Sequence, residues 1–308
     1  MPRCRQLIAT FALFAVLIAP LPANAWNAAG HRLSALIAWQ QLDESTRDRI
    51  SHVLAFHPDH ERWLTRAKDL PPGLASFLEA STWPDEIKSD HRFYDTDRDE
   101  PTTLLPGFPD MARHRHWHYI DRPIGHVPKQ HATDGELDRQ LQRLTDTISS
   151  HKTSTQQRAY ALPWLIHLVA DAHQPLHTVS RYDAKGRGDE GGNLLTVEHP
   201  FHPRLMSMKL HSYWDDLPGP PWLRGRYLER AANAIVADHP PPPSAGGALH
   251  WIDESWQIAR NDAYPPGDEE VPRLTANFHQ NAQAIARKRI AEAGYRLAAL
   301  LQNLFGRP

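Results

Sequence analysis

The segment from His167 to His177 places several ionisable side chains inside an apolar, helix-forming run. His167 and Asp171 are four residues apart, so on a helix their side chains lie on one face. His211 and Asp215 repeat this spacing. Neutral imidazole and carboxylate oxygen are ligands that zinc accepts. The two pairs, with further His and Asp upstream, therefore indicate a buried site for several metal ions rather than a solvated surface.

Helical periodicity dominates the rest of the chain, and strand patterns are sparse. The segments predicted as helices are 31–42, 134–150, 156–172, 224–237, 249–261 and 276–305, and the one short strand candidate is 194–197. Long polar loops are expected at 90–115 and 182–193, and the four prolines 240–243 predict an extended surface loop or linker. We find no internal repeat and no domain-scale linker. The pattern predicts one all-α, mostly helical domain with long loops and at most a short β-hairpin.

The first 25 residues are typical of a secretory signal peptide. Arg3 and Arg5 form a basic start, residues 7–21 are apolar, and Ala25 ends a small-residue cleavage site. The apolar run is short for a membrane span, so an uncleaved anchor is the weaker alternative. Cleavage after Ala25 would make Trp26 the new N-terminus and leave 26–308 as the catalytic domain. We therefore expect a secreted or periplasmic protein that is free of the membrane after cleavage.

Cysteine usage and charge exclude several classes of site. The only cysteine, Cys4, lies in the expected signal peptide, so the remaining chain has no disulfide, no thiol nucleophile and no cysteine zinc ligand. The formal net charge is −2 and becomes about −4 without Arg3 and Arg5. Bulk positive charge is therefore not a means of binding nucleic acid, and any such contact must be local.

Five histidines and three aspartates stand in ligand-like contexts. They are His31, Asp85, His118, His167, Asp171, His177, His211 and Asp215. A single zinc ion needs only three or four protein ligands. This set is therefore large enough for more than one metal ion.

Six short motifs in a fixed order carry a family resemblance. They are Trp26-Asn27-Ala28-Ala29-Gly30-His31, Trp83-Pro84-Asp85, His118-Tyr119-Ile120-Asp121, the set His167, Asp171 and His177, Gly191-Gly192-Asn193, and Leu210-His211-Ser212-Tyr213-Trp214-Asp215. Each motif alone is weak, but together they are specific. With them the chain resembles the S1/P1 nuclease family of secreted, zinc-dependent nucleases that prefer single strands. The resemblance implies the phospholipase C/P1 nuclease-like helical fold.

The resemblance implies three zinc ions with nine protein ligands. The first zinc would bind Asp85, His118, His167 and Asp171. The second would bind the α-amine and carbonyl of Trp26, His31 and Asp171, which then bridges two ions. The third would bind His177, His211 and Asp215. Because Trp26 has a free amine only after cleavage, this ligand set agrees with the expected signal peptide.

The resemblance also implies roles for residues around the metals. Two zinc ions sharing one water would lower its pKa and supply the attacking hydroxide. Asp85 would orient that water, and Lys88 would steady Asp85 or the charge of the transition state. Lysine is a point charge where many family members have arginine, so this role carries over less directly.

The substrate implied by the resemblance is single-stranded DNA and RNA, cut to 5′-phosphate products. Tyr119 would stack on a base, Asp121 would accept hydrogen bonds from it, and Asn193 would face the nucleotide. Stacking contributes roughly 1–3 kcal/mol per base and requires an unpaired base, which favours single strands. Many family members also remove the phosphate of 3′-nucleotides, an activity on which the sequence alone is silent. We expect a monomer.

Two other functions compete with this interpretation. A zinc-dependent phospholipase C would have a similar helical fold and three-zinc ligand set, with a choline lipid as substrate. A secreted zinc-binding protein without catalysis is the second alternative. Structural zinc sites are closed and often rich in cysteine, whereas this chain offers His and Asp ligands only. The base-pocket motif at 118–121 and the turn at 191–193 favour the nuclease.

Overall fold

Helices make up most of the computed structural model, which describes residues 26–129, 133–202, 204–267 and 269–306. The α-helices of this part are α1 (Ala28–Gln41), α2 (Glu44–Leu54), α3 (His60–Arg66), α4 (Pro72–Ala80), α5 (Trp83–Glu86), α6 (Leu137–Ser149), α7 (Thr155–Asp171), α8 (Leu210–Asp216), α9 (Gly225–Asp238), α10 (Ala248–Asp262) and α11 (Ala276–Phe305). Short 3-10 helices lie at Ile87–Ser89, Arg115–His118 and Pro175–Thr178. The strands are β1 (Pro123–Gly125), β2 (Ser180–Tyr182), β3 (Thr196–Glu198) and β4 (Ser207–Lys209).

Helix α7 lies at the centre of the fold. Every residue from Ala159 to Asp171 is buried, and the helix packs against α1, α4, α6 and α11. Its first turn is closed by a capping box, in which the Ser154 hydroxyl accepts from the Gln157 backbone N–H at 3.2 Å and the Gln157 side chain accepts from the Ser154 N–H at 2.9 Å. A helix that is apolar on all sides is stable only when neighbours cover every face. The same burial places His167 in the core.

Helix α1 packs closely along α11, the longest described helix. Gly294 of α11 permits this approach, because a Cβ at that position would lie 2.6 Å from the Cβ of Ile37. The Asn27 side chain caps α1 by accepting a hydrogen bond from the Ala29 N–H at 2.9 Å. The cap and the close packing fix the first turns of α1, which carry His31 into the core.

The strands form two small sheets beside the helices. Strands β1 and β2 are parallel, with Pro123 opposite Ser180, and β3 and β4 are antiparallel, with Thr196 opposite Lys209. The parallel pair joins the segment after His118 to the segment after the 3-10 helix Pro175–Thr178. The antiparallel hairpin leads directly into α8. Both sheets therefore position chain segments that flank predicted ligands.

The mostly helical fold class is confirmed. All six predicted helices are present, and the largest boundary differences are three residues, at the starts of α1 and α6. The strand candidate 194–197 corresponds to β3, within the expected hairpin. The parallel pair was not anticipated, because three-residue strands are too short to have a detectable period. Segment 240–243 is neither helix nor strand, as expected.

The expected signal peptide, residues 1–25, lies outside the described residues. Within the described ranges, no helix is long and apolar enough to cross a membrane.

Candidate metal centre

The eight predicted His and Asp ligands lie in two neighbouring clusters. We call the first the Asp171 cluster, and it consists of His31, Asp85, His118, His167 and Asp171. We call the second the Asp215 cluster, and it consists of His177, His211 and Asp215. The ring of His177 donates from Nδ1 to the carbonyl oxygen of His118 at 2.6 Å, which ties the two clusters together.

Asp171 lies at the middle of its cluster. Its Oδ2 is 3.0 Å from His118 Nδ1 and 3.3 Å from His167 Nε2, and its Oδ1 is 3.5 Å from His31 Nε2. Asp85 faces the same three rings, with oxygen–nitrogen distances of 3.6 Å to His167, 3.7 Å to His31 and 3.9 Å to His118. The four-residue spacing of His167 and Asp171 thus does place both side chains on one face of α7.

The donor set of the Asp171 cluster fits a metal ion. His167 Nδ1 donates to the carbonyl oxygen of Ser81 at 2.8 Å, so in the neutral ring Nε2 carries the lone pair, and this atom faces Asp171. Both ring nitrogens of His31, Nε2 of His118 and Oδ1 of Asp171 are buried without a hydrogen-bond partner among the described residues. A buried polar atom without a hydrogen-bond partner destabilises the folded state. A cation in this cluster would provide one.

The two histidines of the Asp215 cluster point unprotonated nitrogens at each other. His177 Nδ1 donates to the His118 carbonyl, and His211 Nδ1 donates to the Gly191 carbonyl at 2.7 Å. A carbonyl oxygen only accepts, so both Nδ1 atoms carry the proton. The two Nε2 atoms, which then carry lone pairs, are only 3.1 Å apart. A shared cation would remove the repulsion between them.

Asp215 completes this cluster and is oriented by a neighbour. One of its oxygens lies 3.6 Å from His211 Nε2, and the other accepts from Gln174 Nε2 at 2.8 Å. Helix α7 ends at Asp171, and Pro175 begins the following 3-10 helix. After this change of direction, the Nε2 atom of His177 lies 3.1 Å from that of His211.

Burial sets the charge states of both clusters. Burial lowers the pKa of His31 and His118, and it lowers the pKa of His211 to about 4. Burial also raises the pKa of Asp171 to about 6 and that of Asp215 well above its ordinary value. His167 differs, because the effects of Asp171 and Asp85 outweigh that of burial and raise its pKa. The other imidazoles are neutral, which metal binding requires, and the carboxylates need a nearby cation to ionise easily.

Asp85 has a cationic partner at the edge of the Asp171 cluster. Helix α5 carries Asp85 and is followed at once by the 3-10 helix Ile87–Ser89. This turn brings Lys88 Nζ to 2.7 Å from Asp85 Oδ1, with both side chains largely buried. Lys88 thus adds a positive charge beside the candidate metal ligands without itself being one of them.

Tyr119 and Asp121, the predicted base contacts, follow the ligand His118. The Tyr119 hydroxyl donates to Asp134 Oδ2 at 2.9 Å and lies 2.9 Å from His116 Nδ1. The ring of Tyr119 is partly exposed and is held by both contacts. The Asp121 carboxyl has no hydrogen-bond partner among the described residues, and burial followed by nearby carboxylates raises its pKa to about 7.

Asn193 and Trp26 also lie next to predicted ligands. Asn193 Nδ2 donates to the Glu190 carbonyl at 2.8 Å and is 3.3 Å from Nδ1 of His211. Trp26 is fully buried, and the N–H of the following Asn27 donates to the Asp215 carbonyl at 3.1 Å. The start of the described chain is therefore fixed against α8.

Sequence reasoning did not identify several groups that orient the ligands. Gln174 was detectable, because it stands in the chain between Asp171 and His177. His116 was not among the predicted site residues, yet it contacts the Tyr119 hydroxyl. The carbonyl oxygens of Ser81 and Gly191 left no signal, since backbone acceptors do not depend on residue type.

Comparison with known proteins agrees with this arrangement. A sequence model of the S1/P1 Nuclease family matches residues 26–306. Endonuclease 1 of Arabidopsis thaliana is 24% identical over 311 residues, covering 92% of this chain and 88% of the plant protein. Endonuclease 4 of the same plant is 25% identical over 314 residues, covering 91% and 89%. Because the family match extends over nearly the whole chain, the chain belongs to the S1/P1 nuclease family of phosphodiester hydrolases.

Proposed function

We propose that this protein is a zinc-dependent endonuclease that hydrolyses single-stranded DNA and RNA to 5′-phosphate products, and that it also removes the phosphate of 3′-nucleotides. The observation that carries the proposal is the convergence of eight His and Asp side chains from distant parts of the chain on two buried clusters. We propose three zinc ions in these clusters. The protein acts as a monomer in the periplasm or the medium.

The assignment of ligands to zinc ions follows the family pattern. Asp85, His118, His167 and Asp171 would hold the first ion. The amine and carbonyl of Trp26, with His31 and Asp171, would hold the second, and His177, His211 and Asp215 would hold the third. The central position of Asp171, within 3.5 Å of three histidine rings, supports its role as a bridge. The facing nitrogens of the Asp215 cluster support the third site.

Bound zinc ions lower the pKa of water and neutralise charge on a phosphoryl group. The remaining work falls to side chains of the protein. Asp85 orients the attacking water through the oxygen that Lys88 does not occupy. Lys88 holds the Asp85 carboxylate through its 2.7 Å contact and places a positive charge beside the phosphodiester.

The substrate is held by stacking and by polar contacts to the base. The partly exposed ring of Tyr119 stacks on a base, and its fixed hydroxyl keeps the plane of the ring in place. The unpartnered Asp121 carboxyl accepts from the base, and Asn193 contacts the nucleotide next to His211. A stacked base must be unpaired, so these contacts favour a single strand over a duplex.

The test joins metal content to activity on purified protein that begins at Trp26. Zinc per chain is measured, and hydrolysis of single-stranded DNA, RNA and a 3′-nucleotide is followed before and after chelation. We expect zinc-restorable cleavage to 5′-phosphate ends. Three zinc ions with hydrolysis of a phosphatidylcholine analogue instead would indicate a phospholipase C. One zinc or none would contradict the ligand assignment.

A single variant separates catalysis from simple zinc binding. Asp85→Asn keeps the size of the side chain and removes the charge that orients the water, so we expect a loss of at least about 100-fold in kcat. Asp48→Asn, on the exposed face of α2, is the matched control and should keep full activity. Zinc content is measured beside activity, because Asp85 is also a proposed ligand. Equal activity of the two variants would contradict the role of Asp85, whereas zinc binding without hydrolysis by the wild-type protein would favour a zinc-binding protein without catalysis.

A further inference from the structure

Three arginines beside the candidate base site lie over aromatic rings. The guanidinium carbon of Arg122 is 4.8 Å from the centre of the Trp256 ring, and that of Arg260 is 5.7 Å from the same ring. The guanidinium carbon of Arg181 is 4.2 Å from the centre of the Tyr264 ring. We call Arg122, Arg181, Arg260 and these two rings the arginine strip.

The arginine strip begins at the rim of the base site. Arg181 lies on β2, and its backbone N–H donates to Asp189 Oδ1 at 2.8 Å. The Tyr264 hydroxyl donates to the same oxygen at 3.2 Å. Asp189 stands at the start of the loop that leads to Asn193, and Arg122 directly follows the base contact Asp121. From this rim the strip continues along α10 through Trp256 and Arg260.

Two arginines of the strip lack the ion pairs that are common elsewhere in the protein. Among the described residues, no carboxylate lies within 4.0 Å of the guanidinium of Arg181 or Arg260. Arg122, in contrast, pairs with Asp253. Arg260 is exposed and Arg181 is partly exposed. The contacts of Arg122 with Asp253 and Trp256 are explained by its packing on α10, but such packing does not require two unpaired guanidinium groups.

Stacked, unpaired guanidinium groups suit the binding of phosphate. An aromatic ring holds one flat face of the guanidinium and leaves its N–H edge available for two parallel hydrogen bonds to phosphate oxygens. Because the ring already restricts the side chain, binding costs little further conformational entropy. The chain as a whole has a formal charge of −2, so it cannot attract phosphates by its net charge. Phosphate binding therefore requires a local group of positive side chains such as this strip.

We propose that the arginine strip binds backbone phosphates of a single-stranded nucleic acid beyond the nucleotides at the metal centre. The ligand is the strand that leaves the base site, and in this respect the inference rests on the proposed function. It predicts that long substrates bind more tightly than dinucleotides. It also predicts that this advantage falls with salt, because each phosphate contact releases counterions.

The test compares Arg181→Ala/Arg260→Ala with Arg226→Ala in the zinc-loaded protein. Arg226 is a matched control, because it lies 5.0 Å from the Tyr227 ring but on α9. The probe is a labelled phosphorothioate oligothymidylate of about 20 nucleotides, whose binding is followed by fluorescence anisotropy at several salt concentrations. For the double variant we expect about tenfold weaker binding and a salt slope smaller by about 1.4, which is 0.7 for each lost contact. Arg226→Ala should bind like the wild type.

A second measurement separates the strip from the metal centre. Hydrolysis of a thymidine dinucleotide should stay within about twofold of the wild type in the double variant. Among the described residues, the contacts of the two guanidinium groups are to Tyr264 and Trp256, and neither group touches a predicted metal ligand or base contact. Unchanged affinity and salt slope for the long probe would overturn the proposal. An equal loss with Arg226→Ala, or an equal loss on the dinucleotide, would also overturn it. Wild-type protein that binds the long probe without cutting any substrate would contradict the proposed function, but it would not contradict phosphate binding by the arginine strip.

Discussion

Lys88 and Asp85 form a contact on which the proposed chemistry depends. Lys88 Nζ lies 2.7 Å from Asp85 Oδ1, and both side chains are largely buried. Lys88→Met keeps the length of the side chain but removes the charge and the donors, so we expect kcat to fall about 100-fold with a smaller change in KM. Lys88→Arg, which keeps the charge, should retain more activity than Lys88→Met. Steady-state kinetics on a dinucleotide and zinc content per chain are the measurements.

The control for this pair is an exposed lysine in a loop. Lys152→Met removes a charge far along the chain from the metal ligands and should leave kcat unchanged. Zinc content should be the same in all these variants, because Lys88 is not a proposed ligand. If Lys88→Met were as active as Lys152→Met, the assigned role of Lys88 would be wrong.

If Asp121 contacts the base as proposed, base binding should depend on pH. Burial, and then Asp134, Asp189 and Glu190, raise its pKa to about 7. The group is therefore a charged acceptor above about pH 7 and takes up a proton as the pH falls through that value. We expect KM for dinucleotides with amino-bearing bases to rise about tenfold from pH 8 to pH 6, in line with the change in ionised fraction. KM measured at both pH values provides the test.

Asp121→Asn is the control for this pH effect. The amide that this substitution introduces does not titrate. The KM of the variant should therefore change less between pH 8 and pH 6 than the KM of the wild type. Titration of the metal ligands affects both proteins and cancels in the comparison. The same pH dependence of KM in both proteins would contradict the role of Asp121.

At the scale of elements, the contact of α1 with α11 positions His31. A Cβ at Gly294 would lie 2.6 Å from the Cβ of Ile37 and 2.9 Å from the Ser34 carbonyl oxygen. Gly294→Ala must push the two helices apart, and we expect a loss of about 1–3 kcal/mol in the free energy of unfolding. The same shift moves His31 away from Asp171 and should lower zinc content. Urea unfolding and zinc per chain measure the two effects.

Gly247→Ala is the matched substitution for this test. A Cβ at Gly247 would meet nothing within 4 Å, and the residue stands at the N-cap of α10. Because alanine is a poorer N-cap than glycine, this substitution should cost up to about 1 kcal/mol in the free energy of unfolding, and it should leave the zinc content unchanged. A Gly294→Ala protein as stable and as rich in zinc as Gly247→Ala would show that α1 tolerates the displacement.

How far the sequence predicts an element depends on its length. The long helices α7 and α11 show a full period and were predicted with nearly correct ends. The five described helices of eleven residues or fewer, α2, α3, α4, α5 and α8, were not predicted, because a short helix has too few turns to show a clear apolar period. The His-x3-Asp spacing selected His211 and Asp215 as candidate ligands although α8 was not predicted, and the two side chains do lie together with His177. The orienting carbonyl of Gly191 could not be predicted, since it depends on a turn with positive φ at that glycine.

At the scale of the whole molecule, the metal centre joins segments that are far apart in the chain. The Asp171 cluster draws ligands from α1, α5, α7 and the 3-10 helix Arg115–His118, and the Asp215 cluster adds α8 and the 3-10 helix Pro175–Thr178. The chain from Trp26 onward contains no cysteine, so no disulfide holds these segments together. Metal binding should therefore contribute to the stability of the whole fold.

The proposed ligand at Trp26 makes metal binding depend on where the mature chain begins. Trp26 is fully buried, and Asn27 donates to the Asp215 carbonyl at 3.1 Å, so its position is fixed next to the centre. One alanine added before Trp26 converts its amine to an amide, which is a poor ligand, and we expect one zinc fewer per chain and loss of most hydrolysis. An alanine added after Pro308 is the control and should change neither. Full zinc content and activity with the alanine before Trp26 would exclude the amine as a ligand.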